Sequence, residues 1–188
     1  SGYGKTRTDS IKIIKAYCQD KSGDVWFADL GRLIRFNHTT KAFEGFQIKK
    51  TVNESEEISS MMTDSKGMIW IGYRSGFLVL FDPGTQKATL QKVFSSHPDG
   101  DFRKILEDNA RKVVWLSRSD LGLWKFDRQK GTYSKVSAIS SLYSMHLTKE
   151  GIMWIRTSTN LIRYNPDNGD IQKFGGGYDL SNFDWTSL

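Results

Sequence analysis

One cysteine, Cys18, in 188 residues excludes any disulfide within the chain. The fold must therefore be held by packing and hydrogen bonds, and the strand-like run around Cys18 marks it as a small buried residue. Histidine is scarce too. His38, His97 and His146 are about 50 or more residues apart, and none belongs to a His-x-His or His-Glu-x-x-His arrangement, so the sequence offers no metal site. There is no Gly-x-Ser-x-Gly, no phosphate loop and no Cys/His pairing, and the close acids Glu56-Glu57 and Asp99/Asp101 read as solvated loop residues. The expectation is a chain without catalytic residues or cofactor. Long apolar runs are absent, none approaching the roughly 18 residues of a membrane span, and the opening Ser-Gly-Tyr-Gly-Lys lacks the apolar region of a signal peptide. The formal charge of +6 comes from 27 Lys and Arg spread over the whole length, which describes a solvated surface and not a nucleic-acid footprint. Helical periodicity is missing as well, so almost no helix is expected.

What the chain does have is tryptophan in phase. Trp26, Trp70, Trp115 and Trp154 are 44, 45 and 39 residues apart. Around Trp70 the sequence runs Asp64-Ser-Lys-Gly-Met-Ile-Trp-Ile-Gly72, then Phe77-Leu-Val-Leu-Phe-Asp-Pro-Gly84. Its relatives are Asp20-Lys-Ser-Gly23 with Val25-Trp26-Phe27, Asp108 with Val114-Trp115-Leu116, and Gly151 with Met153-Trp154-Ile155. Asp opening and Gly closing such a turn are what a tight hairpin requires, since Asp bonds the turn backbone and Gly accepts positive φ. Proline in Asp82-Pro-Gly84 and Asn165-Pro-Asp-Asn-Gly169 stops the preceding strand from running on.

Each copy holds four short strands: Ile11–Cys18, Asp24–Ala28, Arg32–Asn37 and Ala42–Ile48 in the first; Ile58–Met62, Met68–Gly72, Phe77–Phe81 and Ala88–Phe94 in the second. The third has Phe102–Leu106, Val113–Ser117, Leu123–Phe126 and Thr132–Val136, with one extra residue in its first hairpin; the fourth has Leu142–Leu147, Ile152–Arg156, Leu161–Tyr164 and Asp170–Phe174. Four-stranded antiparallel units at a period near 40 to 45 residues are the signature of a β-propeller. The expected fold is all-β, a propeller segment of four blades plus the start of a fifth, an incomplete ring forming one domain. Its boundaries are an N-terminal remnant at 1–10, blades at 11–52, 53–97, 98–138 and 139–177, and the entry to a further blade at 178–188. A single sheet cannot bury both faces, so the four tryptophans are expected as core between blades.

The pattern Asp-x-x-Gly-x-x-Trp, then Gly, Leu-x-x-[Phe/Tyr]-[Asp/Asn], resembles the two-component regulator propeller repeat over about residues 11–174. Met68-Ile-Trp-Ile-Gly72 and Gly122-Leu-Trp-Lys-Phe-Asp127 match it best. Thr148 replaces the turn Asp in the fourth copy, Ala88 stands where Phe43 and Tyr133 supply an aromatic, and Arg111 stands where the first two copies carry Gly23 and Gly67. Such repeats build the extracytoplasmic sensor regions of Bacteroides-type hybrid two-component kinases. The resemblance implies a segment of the periplasmic region of an inner-membrane-anchored sensor, itself touching no membrane and answering to an oligosaccharide. Two alternatives are an enzyme similar to the streptogramin lyases, which the poverty of His and paired acids opposes, and a surface propeller for protein interaction. Cut blade faces would promote self-association, alongside any dimerisation of the sensor.

Binding residues are sought where the copies differ, in the hairpin after the core Trp. Ala28-Asp29-Leu30, Gly72-Tyr73-Arg74-Ser75, Ser117-Arg118-Ser119-Asp120 and Arg156-Thr157-Ser158-Thr159 are the four tips. Tyr73, Arg74, Arg118, Asp120 and Arg156 are the candidates for ligand contact, Arg for planar bidentate bonding and Tyr for a stacking face.

Overall fold

The computed structural model describes residues 14, 16–29, 32–48, 57–91, 100–136, 138–140 and 142–175, with the backbone alone at Asp29 and Gln47. The N-terminal remnant and the entry to a further blade lie outside the described residues. Among the described residues there are sixteen strands and no helix.

Sheet 1 consists of β1 (Tyr17–Gln19), β2 (Val25–Asp29), β3 (Arg32–Phe36) and β4 (Phe43–Gln47). Sheet 2 consists of β5 (Ile58–Thr63), β6 (Ile69–Tyr73), β7 (Leu78–Asp82) and β8 (Lys87–Gln91). Sheet 3 holds β9 (Phe102–Asp108), β10 (Val113–Arg118), β11 (Gly122–Asp127) and β12 (Thr132–Lys135). Sheet 4 holds β13 (Leu142–Leu147), β14 (Met153–Thr157), β15 (Leu161–Tyr164) and β16 (Ile171–Phe174). In every sheet each strand pairs with its chain neighbour and the sheet stays open at both edges, so the chain is a run of antiparallel meanders. This is the all-β blade arrangement of a propeller segment.

The chain forms two compact units, Ser1–Ile105 and Leu106–Leu188, with the boundary inside β9. In the first, Trp26 is 1% exposed and meets Phe46 of its own sheet at 5.2 Å and Phe81 of sheet 2 at 5.9 Å between ring centroids. Ala28, Leu33, Ile58, Ile69, Ile71 and Val79 complete that core. Cys18 is half-buried on the same side, where it accepts a hydrogen bond from Thr63 Oγ1, and burial pushes its thiol up to about 11. In the second unit Trp115 meets Tyr164 edge-on at 6.1 Å, and Leu123, Leu142, Met145, Met153 and Ile155 pack around them. In both cases an indole of one sheet rests on an aromatic at or next to the end of the third strand of the next. The repeat thus encodes the packing between sheets as well as the sheet itself.

The first hairpin of each repeat shows why Asp and Trp travel together. Asp64 Oδ1 accepts the backbone N–H groups of Lys66 and Met68 at 2.8 and 3.0 Å, while Oδ2 accepts the Trp70 indole N–H at 2.9 Å. Asp20 does the same with Ser22, Asp24 and Trp26, the indole bond being 2.7 Å. Burial works against ionisation of Asp20, but the hydrogen bonds from Ser22 and Trp26 outweigh it and lower its pKa. Asp108 holds the Trp115 indole at 3.3 Å. One carboxylate closes the turn and fixes the rotamer of the core indole.

Two of the sequence expectations are corrected here. Counted back from the tryptophan, the left-handed residue of the turn is Gly23, Gly67, Lys112 and Gly151, with φ of 85, 84, 58 and 79°. Lys112, and not Arg111, therefore stands in the glycine position of the third copy. The inserted residue lies before it, which frees the Arg111 guanidinium to bind Asp108 at 2.9 Å and, through a bidentate pair at 2.7 and 2.6 Å, Asp167 of sheet 4. Secondly, Trp154 is only half-buried, unlike the other three. Thr148 offers a single oxygen, already bonded at 3.3 Å to the Ile152 N–H, and the ring packs on Phe174 of its own sheet at 5.8 Å.

Candidate functional site

The hairpin after each core tryptophan is where a variable surface was expected, and strand geometry divides its residues into three groups. The second residue after each tryptophan is Ala28, Gly72, Ser117 or Arg156; it is still in the strand and points to the same face as the indole. Gly72 shows what that face demands, because a Cβ there would lie 2.4 Å from Phe102 Cβ. The third residue after the tryptophan, Tyr73 in the second copy and Arg118 in the third, ends the strand and points to the other face. The turns themselves hold Arg74, Ser75 and Gly76 in the second copy, Ser119, Asp120 and Leu121 in the third, and Ser158 to Asn160 in the fourth.

Tyr73 is 0% exposed and belongs to the core with Ala28, Leu33 and Ile58, so it offers no stacking face to a ligand. Arg118 is also fully enclosed. Its Nε and an Nη each donate to one oxygen of Asp120 at 2.9 Å, a planar fork closing across two residues. A guanidinium that is buried needs such a partner, because an uncompensated buried charge is strongly unfavourable. Asp120 keeps 29% of its side chain in solvent, so Arg118 positions a reachable carboxylate and is not itself reachable.

Arg74 is the most accessible of the candidates, with 62% of its side chain exposed. Its Nη1 donates to Glu57 Oε2 at 3.0 Å and its backbone N–H donates to the Glu57 carbonyl at 2.8 Å. Glu57 was dismissed in the sequence as one of two adjacent loop acids; its counterpart Glu56 lies outside the described residues. Arg156 is not a tip residue. It sits in β14 beside Trp154, with its guanidinium 5.3 Å from the ring of the exposed Tyr143. Of the five residues, then, Arg74 and Asp120 are solvent-facing turn residues, Tyr73 and Arg118 are internal, and Arg156 belongs to a sheet face.

A further polar cluster, in sheet 1, carries no motif by which it could be found in the sequence. Asp24, 1% exposed, accepts the backbone N–H of His38 at 2.9 Å, His38 Nδ1 lies 3.0 Å from the same oxygen, and Arg35 Nε reaches the other at 2.6 Å. The His38 backbone donor, with the His38 ring and Arg35 beside it, brings the carboxyl down to about 2. Arg35 also lies 5.8 Å from the Trp26 ring, so the cluster braces the indole from outside. His146 is in β13, and His97 lies outside the described residues. Among the described residues no group of three or more His, Cys, Asp or Glu is placed to hold a metal ion.

No family model and no curated protein sequence matches the chain. Solved structures do. The extracellular domain of BT4673 of B. thetaiotaomicron, assigned to a hybrid two-component system, is similar with a TM-score of 0.74 and 20% identity over 96% of this chain and 24% of that one. That of BT3049 from the same organism, also assigned to a hybrid two-component system, gives 0.68 and 18% over 88% and 25%. A catalytically inactive virginiamycin B lyase of Staphylococcus aureus, solved with quinupristin, gives 0.73 and 12% over 92% and 58%. The chain spans about a quarter of the length of the two Bacteroides domains. At these identities the likeness shows a shared fold.

Proposed function

We propose that this chain is part of the extracytoplasmic propeller of a hybrid two-component sensor, a non-enzymatic segment whose ligand is an oligosaccharide and whose output is a kinase elsewhere in the full-length protein. The observation that supports this most is the likeness to the BT4673 domain over nearly the whole chain, at a repeat pattern read independently from the sequence. A periplasmic position in an inner-membrane-anchored protein follows from the same reading. The lyase likeness supports the alternative less, because its identity is 12% against 20% for the BT4673 domain.

Within this reading each unit offers its own polar turn to a sugar: after β6, Arg74, aligned by Glu57, offers planar donors that suit hydroxyls or a uronate, and after β10, Asp120, aligned by Arg118, offers acceptors that suit hydroxyls. The test is calorimetric titration of the protein with a panel of neutral and acidic oligosaccharides, repeated on Arg74→Ala and Asp120→Ala. Binding that weakens at least about tenfold in either variant, the loss of a charge-assisted hydrogen bond, supports the site. Binding that both variants retain in full discards these residues, and turnover of any sugar or of a streptogramin discards the non-enzymatic reading.

A further inference from the structure

Sheets 2 and 4 open on the same irregularity. β5 pairs Ile58 with Tyr73 and Ser60 with Gly72, and β13 pairs Leu142 with Thr157 and Ser144 with Arg156. One extra residue, Ser59 or Tyr143, is thus set into each first strand as a bulge, a device that re-aims a side chain. The frame asks little of that residue. In sheet 2 the Ser59 hydroxyl folds back onto the Gly72 carbonyl at 3.2 Å. In the third copy Arg103 follows the enclosed Phe102 as Ser59 follows Ile58 and Tyr143 follows Leu142. Serine, arginine and tyrosine at one repeat position mark a variable site on a constant scaffold, the kind of place where binding residues are sought.

Tyr143 is 45% exposed, although Leu142 beside it is 1% exposed, so the core gains little from this ring. The ring is nonetheless steadied, with the Arg156 guanidinium 5.3 Å from its centroid and Arg156 itself aligned with Ser144 across the bulge. At the same end of sheet 4 the turn after β14 is braced from within. Thr157 Oγ1 accepts the N–H groups of Asn160 and Thr159 at 2.9 and 3.3 Å and donates to the Asn160 carbonyl at 3.1 Å. Asn160 Nδ2 donates to Thr159 Oγ1 at 2.7 Å, and Ser158 and Thr159 are exposed. An aromatic ring presented to solvent near a rigid turn of hydroxyl and amide groups meets both needs of a pyranose. The negative face of the ring suits the electropositive C–H face of the sugar, and the turn suits its hydroxyls.

We propose that Tyr143 is a stacking platform for a pyranose ring in the second unit, with the turn at 158–160 taking hydroxyls at the edge of that ring. It supplies the aromatic contact that the enclosed Tyr73 does not. The inference rests on the oligosaccharide reading above and adds to it a second kind of contact, one that recognises the C–H face of the sugar and not its charge.

NMR titration of the full chain with maltohexaose, cellohexaose and a galacturonate trisaccharide tests it, because a stacked tyrosine moves the C–H protons of the sugar upfield. The variants are Tyr143→Phe and Tyr143→Trp, which keep a ring, and Tyr143→Ser, which installs the residue that the same bulge carries in sheet 2. The proposal expects upfield shifts with at least one of the three sugars, kept in the Phe and Trp variants. In Tyr143→Ser the shifts vanish and affinity falls about tenfold, while the melting temperature stays that of the unaltered protein. Full affinity in Tyr143→Ser overturns the platform and leaves the oligosaccharide reading standing. Upfield shifts that survive in Tyr143→Ser assign the stacking to another ring and also overturn it. Binding of none of the three sugars by the unaltered protein overturns the platform together with the reading on which it rests.

Discussion

The first hairpins of the second and fourth repeats are the same turn built with and without a carboxylate. In the second, Asp64 is 3% exposed and its two oxygens hold two backbone N–H groups and the Trp70 indole. In the fourth, Thr148 holds one backbone N–H at 3.3 Å, and the Trp154 ring is half-buried. Both turns keep a left-handed glycine, with φ of 84 and 79°, so the backbone path survives the loss of the acid. The comparison separates two roles that the sequence motif merges. Glycine makes the turn, whereas aspartate ties the turn to the core indole.

The largest expected difference is between the tryptophans. Trp70→Ala should destabilise the protein by about 3–5 kcal/mol, the range for removing a large enclosed aromatic, and Trp154→Ala by well under that. Thermal or denaturant unfolding of the two variants checks it, and equal losses would break the comparison. Next comes the acid itself. Asp64→Ala leaves a buried indole N–H and turn amides without their acceptor and should cost about 1–3 kcal/mol, while Thr148→Ala, losing one long bond to the Ile152 N–H and an exposed one to Glu150, should cost under about 1 kcal/mol. Denaturant midpoints at constant m separate these.

These differences also mark how far the sequence can be read. The tryptophan phase and the Asp-to-Trp spacing located the strands because hairpin turns and a period of two are local properties. The candidate site was harder, for two physical reasons. Strand parity decides exposure, and the hairpin after Trp70 begins two residues later than the change in composition suggests, so Tyr73 read as a tip residue although it closes β6 and faces the core. Partners distant in sequence also decide what an arginine does: Arg74 finds Glu57, 17 residues before it, and Arg111 finds Asp167, 56 residues after it. The third turn was misaligned for a related reason, since counting forward from Asp108 reaches Arg111 whereas counting back from Trp115 reaches Lys112, the residue that takes positive φ.

A smaller effect distinguishes the first repeat from the rest, because it alone carries an acid, Asp24, two residues before the core tryptophan; Met68, Val113 and Ile152 stand there in the others. The folded-state pKa of Asp24 is about 2, below the ordinary value near 4. Its contribution is thus complete above about pH 4 and is lost as pH falls through the window from 4 to 2, where the unfolded chain binds the proton first. Asp24→Asn should flatten part of the acid limb of the melting temperature in that window. An acid limb identical to that of the unaltered protein would remove the His38–Asp24–Arg35 cluster from the account.

The carboxylate tie is tested most directly by the exchange of the indole N–H protons themselves, followed by NMR in deuterated buffer. The account predicts slow exchange for Trp26, Trp70 and Trp115, each bonded to its turn aspartate, faster exchange for Trp154, and slowing of Trp154 when Thr148→Asp supplies the missing oxygen. Four indoles exchanging alike, with Trp154 indifferent to Thr148→Asp, would contradict it.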